Sequence, residues 1–159
     1  MKNFDKLVYT YKHRKILNYL ANKYFKDNKE LKERLKYHDM DKMYLLLFYD
    51  KKDIESYHRT MSSHHDNEIT KNELDYIEMI LDWESARYTK DDKPLNAYDT
   101  MIKFYPHLKK NILPILKRIR LDKSTLDKEE DIVLYAKTLD KVSEKDIKKE
   151  LIDYIKGID

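Results

Sequence analysis

Apolar residues recur along this chain at intervals of three and four, the spacing that lines one face of an α-helix. Leu7, Tyr11, Ile16, Leu17, Leu20 and Tyr24 keep this spacing and predict a first helix over about residues 3–26. His13 falls three residues before Ile16 and four before Leu17, so it belongs to the apolar face. Leu31, Leu35 and His38 share one side of a second helix over roughly 29–37. The apolar run from Met43 to Tyr49 reads as a further helical stretch. Asp53 suits the cap of a short helix in which Ile54, His58 and Met61 are one turn apart. The pattern breaks from Ser62 to Asp66. Thr70 and Glu73 have capping-box spacing and open a strong helix to about Tyr88. Leu74, Ile77, Glu78, Leu81 and Ser85 share one face of that helix, with Asp82 at its edge.

Beyond a polar loop over 89–94, Pro94 suits the first turn of a helix reaching about Tyr105. Pro106 and Pro114 punctuate a helical segment to Arg120. Ser124 or Thr125 is expected to cap a helix to about Asp140. Ser143 is expected to cap the last one, with Ile147, Leu151, Tyr154 and Ile155 inward and Gly157 at its end. The expectation is a compact all-α bundle of about 6–8 helices forming one domain over 1–159. The chemistry-bearing core spans about 3–105, and the helices over about 107–158 carry no histidine apart from His107 near their start and read as structural packing. His107, beside Pro106, reads as a surface residue.

Composition narrows the possibilities. Charged residues make up 40% of the chain and hydrophobic ones 41%, which fits a folded, water-exposed domain. The net charge is +3, from 33 basic and 30 acidic side chains with interspersed signs, which argues against dedicated nucleic-acid or membrane binding. A local basic run from Lys109 to Arg120 reads as a solvated helix face. With no cysteine there is no disulfide framework, no thiol nucleophile and no cysteine zinc site. A single glycine, Gly157, excludes glycine-rich phosphate cradles. The segment from Met1 to Tyr11 is too polar for a signal peptide and no long apolar run spans a membrane, so a cytoplasmic location is expected. A homo-oligomer remains open.

Histidine carries the chemistry. His13, His38-Asp39, His58, His64-His65 and Asp82 follow one another as a nitrogen-and-oxygen donor series on successive helices. Imidazole and carboxylate together suit a divalent ion such as Mn, Fe, Co, Ni or Zn, as one ion or two. A lone core histidine is more often hydrogen-bonded packing; the ordered series raises His13 above that reading. Adjacent histidines on a regular helix diverge by about 100°, so His64 and His65 serve together only at a turn or across two ions. Lys42 reads as either a solvated charge or a phosphate contact, Arg87 as a weaker phosphate contact, and Glu84 as an acceptor that orients a metal-bound histidine.

The order His13, His38-Asp39, Asp82 resembles the HD-domain superfamily of metal-dependent phosphohydrolases, and the intermediate histidines resemble its two-metal members. The run His38-Asp39-Met40-Asp41-Lys42 is similar to the HDxGK run of cyclic-dinucleotide phosphodiesterases of the HD-GYP kind, with Asp41 in the glycine position. The further signature of those enzymes is missing after His64-His65, so their activity is not implied. A closer resemblance is to a family of small bacterial and phage proteins without an assigned reaction, carried by His38 to Met43, Tyr57-His58 with His64-His65, and Leu81 to Arg87. Tyr57 and Asp66 depart from its pattern, and the resemblance covers about residues 9 to 100. It implies His13, His38, Asp39 and Asp82 around one ion and His58 with His64 or His65 around a second, bridged by Asp39. The expected activity is phosphate-ester hydrolysis on a nucleotide or another small phosphorylated metabolite. The alternatives are a di-iron oxygenase of the same superfamily and a non-catalytic helical interaction module, such as a phage-encoded effector, with a vestigial metal site.

Overall fold

The longest apolar stripe sets the architecture. In the computed structural model, which describes residues 1–158, it becomes α1 (Phe4–Tyr24). There follow α2 (Lys29–Leu35), α3 (Met40–Leu46), α4 (Lys51–Met61), α5 (Glu73–Thr89) and α6 (Ala97–Phe104). A 3-10 turn (Pro106–Leu108) leads into α7 (Lys109–Arg118), and α8 (Glu130–Thr138) and α9 (Glu144–Ile158) complete the chain. No strand occurs among the described residues. The expected all-α bundle is the fold.

Two apolar clusters hold it together. Ile16, Leu17, Leu20 and Ala21 of α1 join Leu31, Leu35, Ile77, Ile80, Leu81, Met101, Ile112, Leu116 and Ile132, drawing α1, α2, α5, α6, α7 and α8 into one core. Leu7, from the start of α1, joins Met40, Met43, Leu46, Ile54, Ile147 and Leu151, a second core made by α1, α3, α4 and α9. Each such buried Leu or Ile contributes about 1.5–3 kcal/mol through removal from water. Because α1 runs through both cores, its middle crosses the seam between them, and His13 and Arg14 sit there, both 4% exposed. The site develops in that seam.

Some element boundaries differ from expectation, each for a local reason. The capping box of α5 is built by Asn72 and Asp75 instead of Thr70 and Glu73: Asp75 N–H donates to Asn72 Oδ1, and Asn72 N–H donates to Asp75 Oδ2. At α4 the N-cap is Asp50, and Asp53 lies inside the first turn, where the helix dipole favours an acid. Residues 124–129 stay outside α8 because Arg87 Nη2 holds the carbonyls of Asp127 and Thr125 at 3.0 and 3.5 Å. Helix α7 continues through Pro114 with the loss of one backbone bond. Ile155 is 45% exposed, and Gly157 lies within α9.

The turn between α2 and α3 matters most. His38 N–H donates to Leu35 O and Met40 N–H to Tyr37 O, which winds the chain tightly. Asp39 closes the turn at φ 58° and ψ 12°, the left-handed region. Such a conformation costs an L residue roughly 1–2 kcal/mol, with Asp among the more tolerant types. His38 and Asp39 are thereby both buried in the seam.

Candidate metal centre

Five segments deliver donors to the seam. α1 supplies His13, the α2–α3 turn His38 and Asp39, α4 His58, the irregular stretch after α4 His64 and His65, and α5 Asp82. His64 and His65 lie outside any helix, so their side chains are free of the helical divergence and both reach the site. Their ring centroids are 4.4 Å apart.

Asp39 divides the donors into two groups. On one side, His38 Nε2 lies 3.4 Å from Asp39 Oδ2 and 3.1 Å from Asp82 Oδ1, and His13 Nε2 lies 2.6 Å from the same Asp82 oxygen. On the other side, His58 Nε2 is 2.7 Å and His64 Nε2 3.3 Å from Asp39 Oδ1. One donor atom from each of His13, His38, Asp39 and Asp82 falls within 4.8 Å of the others, and so do those of His58, His64 and His65. The carboxylate of Asp39 therefore presents one oxygen to each group.

Behind the donors stands a supporting layer that turns the Nε2 atoms inward. Glu78 Oε2 is 2.7 Å from His38 Nδ1 and 3.0 Å from His64 Nδ1. Ser85 Oγ is 3.1 Å from His13 Nδ1, Ser62 Oγ 2.7 Å from His64 Nδ1, and Asp41 Oδ2 3.4 Å from His58 Nδ1. Glu78 is itself held: Arg34 Nε donates to its Oε1 at 2.6 Å. Arg34 also pairs with Asp75 and donates to Ser63 Oγ. His38, His64 and Glu78 lie close enough to group around an ion as well. That arrangement would use the outward Nδ1 atoms and a carboxylate already matched by Arg34, so Glu78 is better described as the support of two histidine donors.

Three observations fit a cation here. Asp39 Oδ1 is fully buried yet receives no aligned hydrogen bond, although His58 Nε2 is 2.7 Å away. His58 Nε2 and His64 Nε2 face each other at 3.3 Å, where two lone pairs repel unless a proton or cation lies between them. Electrostatics points the same way. Burial opposes charging His38, His58 and His64, yet the carboxylates around them win; Asp39 and Asp41 raise His58 to about 9, and His38 and His64 also rise. Burial likewise opposes ionisation of Asp39, Asp82 and Glu78, but the histidines hold all three below the usual carboxylate range. The ordered imidazole–carboxylate cluster thus demands positive charge, which protons supply in the absence of an ion. His65 differs: burial and the neighbouring His64 lower it to about 4, which leaves a neutral imidazole, the form that ligates metal.

No family model, no curated protein and no solved structure matches this chain.

A cavity of about 630 Å³ opens onto the donors. His13, Asp39, His58, His65 and Asp82 reach it, while His38 and His64 lie behind them. Its walls carry Lys6, Lys42, Arg59, Lys90, Lys93 and Lys103, against the acids Glu55 and Asp92. Lys6 is paired with Glu55 at 2.7 Å, and Lys90 lies 4.3 Å above the Tyr9 ring, which in turn stacks on His13. Trp83 and Tyr105 form a parallel stack with centroids 4.8 Å apart along one wall.

Lys42 lines this cavity, as the phosphate-contact reading requires. Glu84 and Arg87 do not belong to it. Two residues past Asp82 on a helix is about 200° around, and five is about 140°, so both leave the side that faces the other donors. Glu84 Oε1 instead accepts from Ala97 N–H at 2.8 Å and caps α6, while Oε2 lies 3.3 Å from Arg87 Nη1. Both are buried, and Arg87 ties down the segment before α8. They hold the fold together and touch no donor. His107 is exposed and pairs with Asp66 at 2.8 Å. The residues that the pattern did not single out for the site include Glu78, Arg34, Asp41, Ser85, Ser62 and Tyr9. Glu78 carried a signal: an acid on the apolar face of α5, one turn before Asp82.

No helix among the described residues is long and apolar enough to cross a membrane.

Proposed function

We propose that the protein is a metal-dependent phosphohydrolase acting on a nucleotide or another small phosphorylated metabolite. The observation that carries this reading is the pairing of two features in one cavity. Histidine and carboxylate donors divided by Asp39 form its floor, and a surplus of cationic side chains forms its walls. Such a floor suits one or two divalent ions, and such walls suit an anion. The order of His13, His38-Asp39 and Asp82, which resembles the HD-domain superfamily, supports the same reading.

His13, His38, Asp39 and Asp82 would hold one ion, and Asp39, His58, His64 and His65 a second. An ion bound there lowers the pKa of a coordinated water toward neutrality and so makes hydroxide available. The chain's own residues do the rest. Glu78, Ser85 and Asp41 keep the imidazoles turned inward. Lys42, Arg59 and Lys93 meet the phosphate and offset charge that builds on it during cleavage. The Trp83–Tyr105 stack offers a flat apolar face for a base or a sugar.

The test is direct. Purified without chelator, or loaded with Mn, Fe, Co, Ni or Zn, the protein should contain stoichiometric metal. It should release phosphate from at least one member of a nucleotide and sugar-phosphate panel, and Asp39→Asn should abolish that release. A protein that takes up no ion under any loading condition sinks the reading. The nitrogen-rich donor set, five imidazoles in all, favours a second reading as a di-iron oxygenase. Oxygen uptake by the iron-loaded protein, with no phosphate release, would select it.

A further inference from the structure

The left-handed turn at Asp39 needs something to hold it, and the holding side chain comes from α1. Arg14, next to His13, spends its guanidinium on the backbone of the turn. Its Nε donates to His38 O at 2.7 Å and its Nη2 to Lys36 O at 2.5 Å. The His38 carbonyl belongs to the peptide plane that leads into Asp39, so fixing that oxygen fixes the direction from which the Asp39 side chain departs. Arg14 touches no donor atom of the metal centre directly.

Arg14 is braced in turn. Its Nη1 donates to Glu150 Oε1 at 2.5 Å, and the other Glu150 oxygen lies 3.3 Å from Lys15 Nζ. Glu150 sits on α9, in the stretch that the sequence pattern assigns to structural packing, between the buried Ile147 and Leu151. A continuous path therefore runs from α9 through Glu150 and Arg14 to the His38–Asp39 peptide.

We propose that Arg14 and Glu150 form a positioning pair that aims the Asp39 carboxylate between the two donor groups, which makes the C-terminal helix a working part of the metal centre. This rests on the metal-dependent reading given above. The pair also accounts for the buried guanidinium beside a site built for cations: Glu150 neutralises it, and a fixed bidentate hold on two carbonyls is what arginine does and lysine does not. Loss of the pair should leave His13, His38 and Asp82 of the first group in place while freeing Asp39 to rotate off the second.

Glu150 is the residue to change, because it is partly exposed and its removal leaves every donor intact. Two measurements on the full chain decide the matter. In metal-free protein, Glu150→Ala should speed amide hydrogen exchange over residues 36–43 at least tenfold without changing exchange in α5. In Mn-loaded wild-type protein, two ions sharing a carboxylate should give an exchange-coupled electron paramagnetic resonance signal. Glu150→Ala should replace it by the signal of isolated Mn and weaken the second ion at least tenfold. Glu150→Gln, which keeps an acceptor for Arg14, should retain most of the coupling. Ile147→Val, which loosens α9 without touching Arg14, should keep both signatures. Unchanged exchange and coupling in Glu150→Ala overturn the proposal, as does an equal loss in Ile147→Val. A wild-type chain that takes up no Mn overturns the role toward the ion along with the metal reading, while the exchange measurement still decides whether Arg14 and Glu150 hold the turn.

Discussion

Glu78 and His38 are joined across the seam by a 2.7 Å contact between Oε2 and Nδ1, and this contact decides which nitrogen of His38 faces Asp82. The same Glu78 oxygen stands 3.0 Å from His64 Nδ1, so one carboxylate orients a histidine in each donor group. Supports of this kind typically change metal affinity by 10–100-fold when removed. Glu78→Gln keeps the volume and removes the charge, and is expected to weaken ion binding roughly tenfold or more at both positions. Isothermal titration with Zn or Mn checks it. A variant that binds with wild-type affinity at both positions would show that Glu78 is packing alone.

The same cluster makes the metal-free protein sensitive to pH from both sides. Burial opposes a proton on His58, but Asp39 and Asp41 raise its pKa to about 9, so the folded state holds that proton more tightly than the unfolded chain. This contribution is complete below the unfolded value of about 6.5 and is lost as pH climbs through 9. His65 runs the other way. With its pKa lowered to about 4 by burial and His64, it contributes above 6.5 and loses that contribution as pH falls toward 4. Asp39, Asp82 and Glu78, all held below the carboxylate range, add stability that is present above about pH 4 and lost beneath it. Chelator-treated protein should therefore melt highest near pH 6–7 and lose on the order of 5 °C by pH 9. Saturating metal should flatten the alkaline side, because ligation takes the neutral imidazole. Thermal melts from pH 4 to 10 with and without metal provide the check, and an alkaline fall that metal leaves unchanged would contradict it.

Much of this centre is legible in the sequence because it obeys helical spacing. His13 faces inward because Ile16 and Leu17 do, and His58 because Ile54 does. His64 and His65 fall in the break after Met61, where neighbouring residues can converge. What the spacing hides are the supports. Arg34 and Arg14 read as ordinary charges on helix faces, and their partners lie 44 and 136 residues away in Glu78 and Glu150. Only the packing of α5 and α9 brings those acids within reach. Glu84 and Arg87 show the opposite error. Nearness to Asp82 in sequence suggests the site, while rotation about the helix axis takes them into the core behind it.

The Glu84–Arg87 pair yields a prediction separate from the metal. Both side chains are 2% exposed, and Glu84 also accepts the Ala97 N–H at the start of α6. Burial raises the Glu84 pKa even though Ala97 and Arg87 oppose it, which marks a carboxylate whose partners matter. Removal of one member of a buried pair costs about 3–5 kcal/mol through the charge left behind. Arg87→Met should lower stability by roughly that amount and free residues 124–129, while ion stoichiometry stays as in the wild type. Urea denaturation together with metal analysis tests both halves. A loss of bound ion at wild-type stability would return Arg87 to the site.

The cationic wall is testable apart from the donors. Lys42 lines the cavity beside Asp41, whose carboxylate faces His58. A charge-assisted hydrogen bond to a phosphate oxygen is worth about 1.5–3 kcal/mol, or roughly ten- to a hundredfold in binding. Lys42→Ala should therefore lower kcat/KM for the best phosphorylated substrate roughly tenfold or more, through a higher KM and a lower kcat together. Asp39→Asn, by contrast, should remove kcat. The two classes should also differ in their response to salt, because exposed charges are screened within about 10 Å at 0.1 M. Between low and moderate ionic strength kcat/KM of the wild type should fall, and a Lys42, Arg59 and Lys93 triple alanine variant should lose most of that dependence. Equal salt slopes for the two proteins would show that the wall does not attract the substrate and would leave the metal floor to account for binding.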